Sequence, residues 1–258
     1  MIYARKGEKL EQSLEEHIGQ CLKALGNLKN TRFWKVIGFA ELELRTAIVF
    51  HDSGKIFYQK NLRKGKLSFS GHEILSAYIL KRFLWHYRKH AKTSDLELRC
   101  SWGDLSIAAV LYHHHAMGVK KRVESLRKNE LRFSSQKEFE EILAEHGEIL
   151  LKNLEFLDSE AVKLALGMLN SDLRRFVADG RVKTADIAYE SDDIIKRTWE
   201  CFQKDVYFRK MMIALTTALV ICDYRGVREE NGGKRGFGKI VDDFLELYKI
   251  GYAPSRGL

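Results

Sequence analysis

Apolar residues recur at three- and four-residue steps along most of the chain, the period of amphipathic helices. Leu10, Leu14, Ile18, Cys21, Leu22 and Leu25 predict a first helix over Glu8–Leu25, with His17 on the edge of its apolar stripe. Ile37, Ala40, Leu44, Ala47 and Ile48 predict a second over Trp34–Phe50, and His51 continues its inner face. Ser53-Gly54 then stops that helix, glycine tolerating the left-handed conformation of a C-cap. Lys60–Phe69 is polar and reads as a loop. Ser70 and Glu73 have capping-box spacing and open a third helix carrying His72, Leu75, Ile79, Leu80 and Phe83 on one side. Leu105–Tyr112 reads as a buried helix running straight into His113-His114-His115. Helical patterns at Gln136–Leu151 and Ser159–Val177 supply core positions without nameable chemistry, and His146, between Glu145 and Glu148, reads as surface. The last strong helix spans Asp192–Tyr224, with Met212, Leu215, Leu219 and Cys222 on its apolar face and Asp223 beside them. Beyond it lie the glycine-rich Gly226–Lys239 and a short amphipathic helix, Ile240–Tyr248. The single proline, Pro254, is nearly C-terminal and breaks none of these helices, so the fold class is all-α.

Composition narrows the setting. The chain has 258 residues, 45% hydrophobic and 31% charged, as expected of a globular protein with a sizeable core. No apolar run reaches the ~18 residues that span a membrane. The N-terminus is too polar for a signal peptide, and Cys21, Cys100, Cys201 and Cys222 share no C-x-x-C spacing. Reduced thiols in a cytoplasmic protein are the expectation. Lys plus Arg exceed Asp plus Glu by 44 − 35 = 9, which suggests a polyanionic partner. The excess concentrates in Ser53–Lys66 (Lys55, Lys60, Arg63, Lys64, Lys66) and Ala116–Ser135 (Lys120, Lys121, Arg122, Arg127, Lys128, Arg132), each directly following a histidine motif.

The candidate chemistry lies in those motifs. An adjacent His51-Asp52 brings an imidazole and a carboxylate to one spot, suited to a metal-activated water or to helix-end capping. His17 alone reads as a core histidine bonded to backbone. His86 and His90, at i, i+4, could share a metal, but Tyr87, Arg88 and Lys89 around them look solvated. Stepping from Val110 and Leu111 turns His113 and His114 inward and His115 to another face; the triple is either functional or an incidental metal-binding patch. Asp223, at the end of the apolar run Ala214–Cys222, needs a metal or a cation such as Arg225. Gly233–Lys239 fits G-x-x-x-x-G-K, but Ile240 replaces the hydroxyl residue and no buried strand precedes it, so it is not a nucleotide-binding loop.

Seven of these side chains (His17, His51, Asp52, His72, His113, His114 and Asp223) fall near the inner faces of separate predicted helices. Buried imidazoles and carboxylates satisfy one another best around metal ions. Such a donor set suits manganese, iron, cobalt or nickel better than magnesium, with Asp52 the natural bridge between two ions.

The order of motifs resembles the HD phosphohydrolase superfamily, and within it the HD nuclease of type I CRISPR interference in its stand-alone form, without a helicase. The resemblance runs from about Tyr3 to Tyr224. It rests on Leu14-Glu15-Glu16-His17, His51-Asp52-Ser53-Gly54-Lys55 leading to Gln59, Ser70-Gly71-His72-Glu73, the pair His113-His114 after Val110, and Cys222-Asp223-Tyr224-Arg225. A third histidine, His115, departs from the pattern and bears on the register of the pair. The resemblance implies an HD-domain helical bundle over residues 1–225, with 226–258 part of it or appended. It also implies a two-metal nuclease acting on single-stranded DNA, with RNA as a further option, in antiviral defence. Position by position, His17, His51, Asp52 and Asp223 would hold one divalent ion, and Asp52, His72, His113 and His114 the other. Lys55 would steady the scissile phosphate. The basic segments, with Phe57, Tyr58 and Phe69 interleaved, would track a single strand by charge and stacking. A helicase on a separate chain and an RNA-guided surveillance complex are the implied partners. The rival reading is an HD phosphohydrolase of nucleotides or cyclic dinucleotides.

Overall fold

The computed structural model describes residues 1–6, 11–60, 62, 63, 66–91, 100–114, 118–227, 241, 243 and 246. The glycine-rich segment, its G-x-x-x-x-G-K string, His115 and most of the C-terminal helix lie outside them. Among the described residues the fold is an all-α bundle with three two-stranded ribbons at its edges.

The chain opens with β1 (Tyr3–Lys6) paired antiparallel to β2 (Glu11–Ser13). The first helix, α1 (Leu14–Leu28), therefore begins six residues later than its apolar pattern suggests. Ser13 sets the boundary: its hydroxyl accepts from the Glu16 amide at 3.1 Å, while the residues before it pair as strand. The second expected helix is three pieces. These are α2 (Trp34–Ile37), a 3-10 turn at Gly38–Ala40, and α3 (Glu41–Phe50).

After α3 come His51 and Asp52, then a 3-10 helix over Ser53–Tyr58, where the sequence suggested a glycine C-cap. Gly54 has no left-handed backbone. Its role is space: a Cβ there would lie 2.3 Å from the His72 carbonyl oxygen and 2.7 Å from Leu75 Cβ. The 3-10 segment thus presses directly on the start of α4 (His72–His90). Between them β3 (Leu62–Arg63) and β4 (Lys66–Leu67) form a small hairpin.

Helix α4 does not start with the expected capping box. Gly71 is its N-cap, with φ 88°, while Ser70 Oγ bonds Ser125 Oγ at 2.9 Å. Glu73 instead makes a two-pronged pair with Arg122, both N···O distances 2.6 Å, tying α4 to α6 (Val119–Lys128). Helix α5 (Trp102–Tyr112) carries its own capping box, Ser101 with Asp104. Helices α7 (Gln136–Asn153) and α8 (Ser159–Arg174) follow, then β5 (Val177–Ala178) paired to β6 (Arg181–Val182). The long last helix is two, α9 (Thr184–Lys204) and α10 (Val206–Gly226), broken at Asp205, whose carboxylate caps the Phe208 amide. Helix α4 packs on α5, α8 and α9, and α10 on α1, α3 and α5. The ends of α1, α3, α4, α5 and α10 therefore converge.

Cys100 and Cys201 form a disulfide with Cα atoms 5.4 Å apart, joining the lead-in of α5 to α9. This corrects the expectation of four reduced thiols; Cys21 and Cys222 are free and buried. No described helix is long and apolar enough to cross a membrane.

Candidate metal centre

His17, in the first turn of α1, and Asp223, in the last turn of α10, meet His51 and Asp52 at the end of α3. His17 Nε2 lies 3.2 Å from His51 Nε2, 3.1 Å from Asp223 Oδ1 and 3.3 Å from Asp52 Oδ2. All four residues are buried. Asp223 thus pairs with the two imidazoles, which overturns Arg225 as its bland partner.

The second gathering is His72 at the head of α4 with His113 and His114 just past α5. His113 is buried and His114 half-buried. Their donor atoms lie within 4.8 Å of one another. Asp52 stands between the two gatherings: Oδ2 faces His17 and His51, while Oδ1 is 3.1 Å from His72 Nε2. All seven expected ligands are brought together.

The donor geometry is specific. Nδ1 of His17, His51, His72 and His113 contacts the carbonyl oxygens of Gly226, Ile48, Phe69 and Val110, at 3.2, 2.7, 2.7 and 2.6 Å. A carbonyl only accepts, so each Nδ1 carries a proton and each ring turns its Nε2 inward. A backbone acceptor behind each imidazole is the usual support of a metal-ligating histidine. Nε2 of His113 is buried with no hydrogen-bond partner among the described residues, an arrangement costly for a protein alone. Donor separations of 3.1–3.6 Å in the first gathering suit neighbours around one ion, whose bonds run ~2.0–2.3 Å. The residues fit a pair of divalent ions.

Electrostatics agree. Burial alone pushes carboxyl pKa values up, but Lys55, His51 and His72 hold Asp52 well below the usual range, and His17 and His51 do the same for Asp223. Burial opposes a charge on His51, yet Asp52 and Asp223 raise its pKa. Burial and neighbouring imidazoles push His113 well down and His114 to about 4, so both stay neutral lone-pair donors.

Lys55 does not reach outward as a phosphate clamp. It is buried, with Nζ 2.6 Å from Asp52 Oδ2 and 3.0 Å from the Ala4 carbonyl, tying the carboxylate to β1. Gln59 completes that tie, exchanging bonds with the Tyr3 amide and carbonyl at 2.9 and 3.1 Å.

Several expectations around the site fail. Phe57 and Tyr58 are core residues and cannot stack on a strand. Phe69 is partly buried beneath Lys55. Much of the basic excess is paired within the chain: Lys60 with Glu138, Arg122 with Glu73, Arg127 with Asp192 and Arg132 with Glu130. Lys120, Lys121 and Lys128 of α6 remain exposed. His86 is no metal partner of His90; it is buried with Nε2 2.7 Å from Asp172, beside Arg82. His146, expected on the surface, is fully buried, and its Nε2 meets Ser53 Oγ at 3.0 Å behind Asp52.

The chain is 25% identical over 248 residues to the CRISPR-associated endonuclease Cas3-HD of Pyrococcus furiosus, covering 89% of this chain and 94% of that protein. That likeness supports reading the chain as similar to a CRISPR-associated HD endonuclease. No protein-family model and no solved structure matches it. The helical bundle around His51-Asp52 places the candidate metal centre between helices.

Proposed function

We propose that this protein is a metal-dependent nuclease that hydrolyses phosphodiester bonds of single-stranded DNA in CRISPR antiviral defence, holding two divalent ions. One observation carries the reading most of the way: a single carboxylate, Asp52, divides its oxygens between two sets of inward imidazole lone pairs. His17, His51, Asp223 and Asp52 Oδ2 would hold one ion; His72, His113, His114 and Asp52 Oδ1 the other. When bound, such a pair supplies Lewis acidity toward phosphoryl oxygens and an acidified water nucleophile.

The chain's own residues do the rest. Lys55 holds Asp52 in its bridging orientation and offsets one of the two buried carboxylate charges. Burial keeps His113 and His114 neutral, so their lone pairs stay directed at the site across the physiological range. His114 is the half-buried member and marks the side from which a phosphodiester enters. Lys120, Lys121 and Lys128 on α6 supply positive charge for a polyanion near that side, α6 being tied to the head of α4 through Arg122 and Glu73. RNA is a second substrate of the same chemistry, and a separate helicase and an RNA-guided complex are the partners that the resemblance of the motifs implies.

The internal pairing of Lys60, Arg122 and Arg127 and the burial of Phe57 and Tyr58 favour one rival, an HD phosphohydrolase of nucleotides or cyclic dinucleotides, because a small substrate needs no extended basic track. The deciding experiment supplies purified protein with manganese or nickel and offers circular single-stranded DNA beside mono- and cyclic dinucleotides, with Asp52→Ala in parallel. Degradation of the circle by wild type alone supports the nuclease. Sparing of the circle with rapid turnover of nucleotides establishes the rival.

A further inference from the structure

We propose that Cys21 is a ligand of the first metal ion, giving that site a sulfur donor and the two ions different chemical preferences. The inference rests on the metal-centre reading above and goes beyond its seven ligands. Cys21 lies one helical turn after His17 on α1, so both side chains share one face, the i, i+4 arrangement by which a helix presents two ligands to one ion. Its sulfur is 3.7 Å from His17 Nε2, and Cys21, His17, His51 and Asp223 offer donor atoms all within 4.8 Å of one another. The residue is fully buried.

The chain opposite has been cut away to seat this sulfur. Gly226, the last residue of α10, would with a Cβ lie 2.3 Å from Cys21 Sγ and 3.3 Å from His17 Cε1. Gly226 has ordinary helical surroundings and no left-handed φ, so close approach is the reason for glycine here. The same residue accepts from His17 through its carbonyl, placing sulfur, imidazole and glycine at one point. Cys222, the other free thiol, is not a member of the ligand group, and Cys100 and Cys201 are joined to each other.

Coordination takes Cys21 as the thiolate and releases its proton to solvent. A thiolate beside two imidazoles and two carboxylates selects zinc, cobalt, nickel or ferrous iron and disfavours magnesium. The second site, His72, His113 and His114 with Asp52, has no sulfur and accepts manganese as readily. The two ions of the working enzyme are therefore not interchangeable.

Cobalt(II) titration of the full-length apo protein under anaerobic conditions tests this by absorption. Wild type and Cys222→Ser are expected to show a near-ultraviolet sulfur-to-cobalt charge-transfer band together with visible ligand-field bands. Cys21→Ser is expected to keep the ligand-field bands and lose the charge-transfer band. Its affinity for the first cobalt should fall at least about tenfold, the lower bound known for loss of a mere outer-shell partner. Cobalt K-edge absorption on wild type decides the matter even where a variant fails to fold: a sulfur scatterer at ~2.3 Å is expected. Cobalt bound with nitrogen and oxygen donors only, or a band lost in Cys222→Ser and kept in Cys21→Ser, overturns the Cys21 assignment and leaves the metal centre standing. No cobalt uptake by wild type overturns both.

Discussion

At the scale of single residues, Asp52 and Lys55 are the pair whose roles the geometry separates. Among the described residues Asp52 alone is addressed to both gatherings of histidines, so Asp52→Ala is expected to lose both ions. Each single histidine variant should lose chiefly one, as metal content after gel filtration would read. Lys55 acts through Asp52. Lys55→Met leaves a buried carboxylate without its cation and should destabilise the apo protein by about 3 kcal/mol. Added manganese should recover part of that loss, since an ion replaces the missing charge; unfolding curves with and without metal check it. A loss of substrate affinity with unchanged apo stability would instead return Lys55 to the phosphate-clamp role. His17, His51, Asp52, His72, His113, His114 and Asp223 were legible because polar residues interrupted apolar stripes at helical spacing. Cys21 was hidden by the same logic: a cysteine on an apolar stripe looks like any small hydrophobe. His146 was also within reach, since Phe139, Leu143 and Leu150 step directly through its position, but its acidic neighbours masked the stripe.

At the scale of elements, the site is held by the 3-10 segment Ser53–Tyr58 wedged against the head of α4. Gly54→Ala pushes a methyl into the His72 carbonyl and the Leu75 side chain and should cost about 3 kcal/mol, with metal uptake falling as His72 moves. Helix α7 supports the same segment from behind through His146. Burial depresses the His146 pKa to about 4, against ~6.5 in the unfolded chain, so between those values the unfolded state binds a proton that the native state refuses. Stability is whole above pH ~6.5 and falls as pH drops toward 4, by up to about 3 kcal/mol from this residue. His146→Gln should flatten that part of the pH profile relative to wild type in denaturant titrations; parallel profiles would remove His146 from the account. The sequence misplaced these boundaries because helix starts depend on which hydroxyl or carboxylate wins the first free amides. Ser13, Gly71, Ser101 and Asp205 settle them through contacts that periodicity does not register.

At the scale of the whole molecule, the all-α class and the convergence of helix ends followed from apolar period and the near absence of proline, while the disulfide did not. Cys100 and Cys201 stand 101 residues apart, and no local spacing announces such a pair. Closing a loop of that length stabilises by roughly 4–5 kcal/mol in the chain-entropy account. Reduction, or Cys201→Ser, is therefore expected to lower the unfolding midpoint clearly while leaving the ligands in place; an unchanged midpoint under reductant would show that the bond is not formed in solution. The charge excess was also misread at this scale. Lys60, Arg122 and Arg127 answer carboxylates brought near by folding, which a count along the chain cannot anticipate.

The order in which the ligands leave the ribosome adds a last consequence. Asp52, His72, His113 and His114 are all made in the first half of the chain, but the first gathering waits for Asp223 in the final turn of α10. Gly226, which seats both His17 and Cys21, comes later still. On the proposed function, a nascent or prematurely terminated chain holds an incomplete centre and cannot cut the nucleic acid around it. Chains halted before α10 should take up less metal and show no hydrolysis, so the cell meets this activity only once α10 has been made.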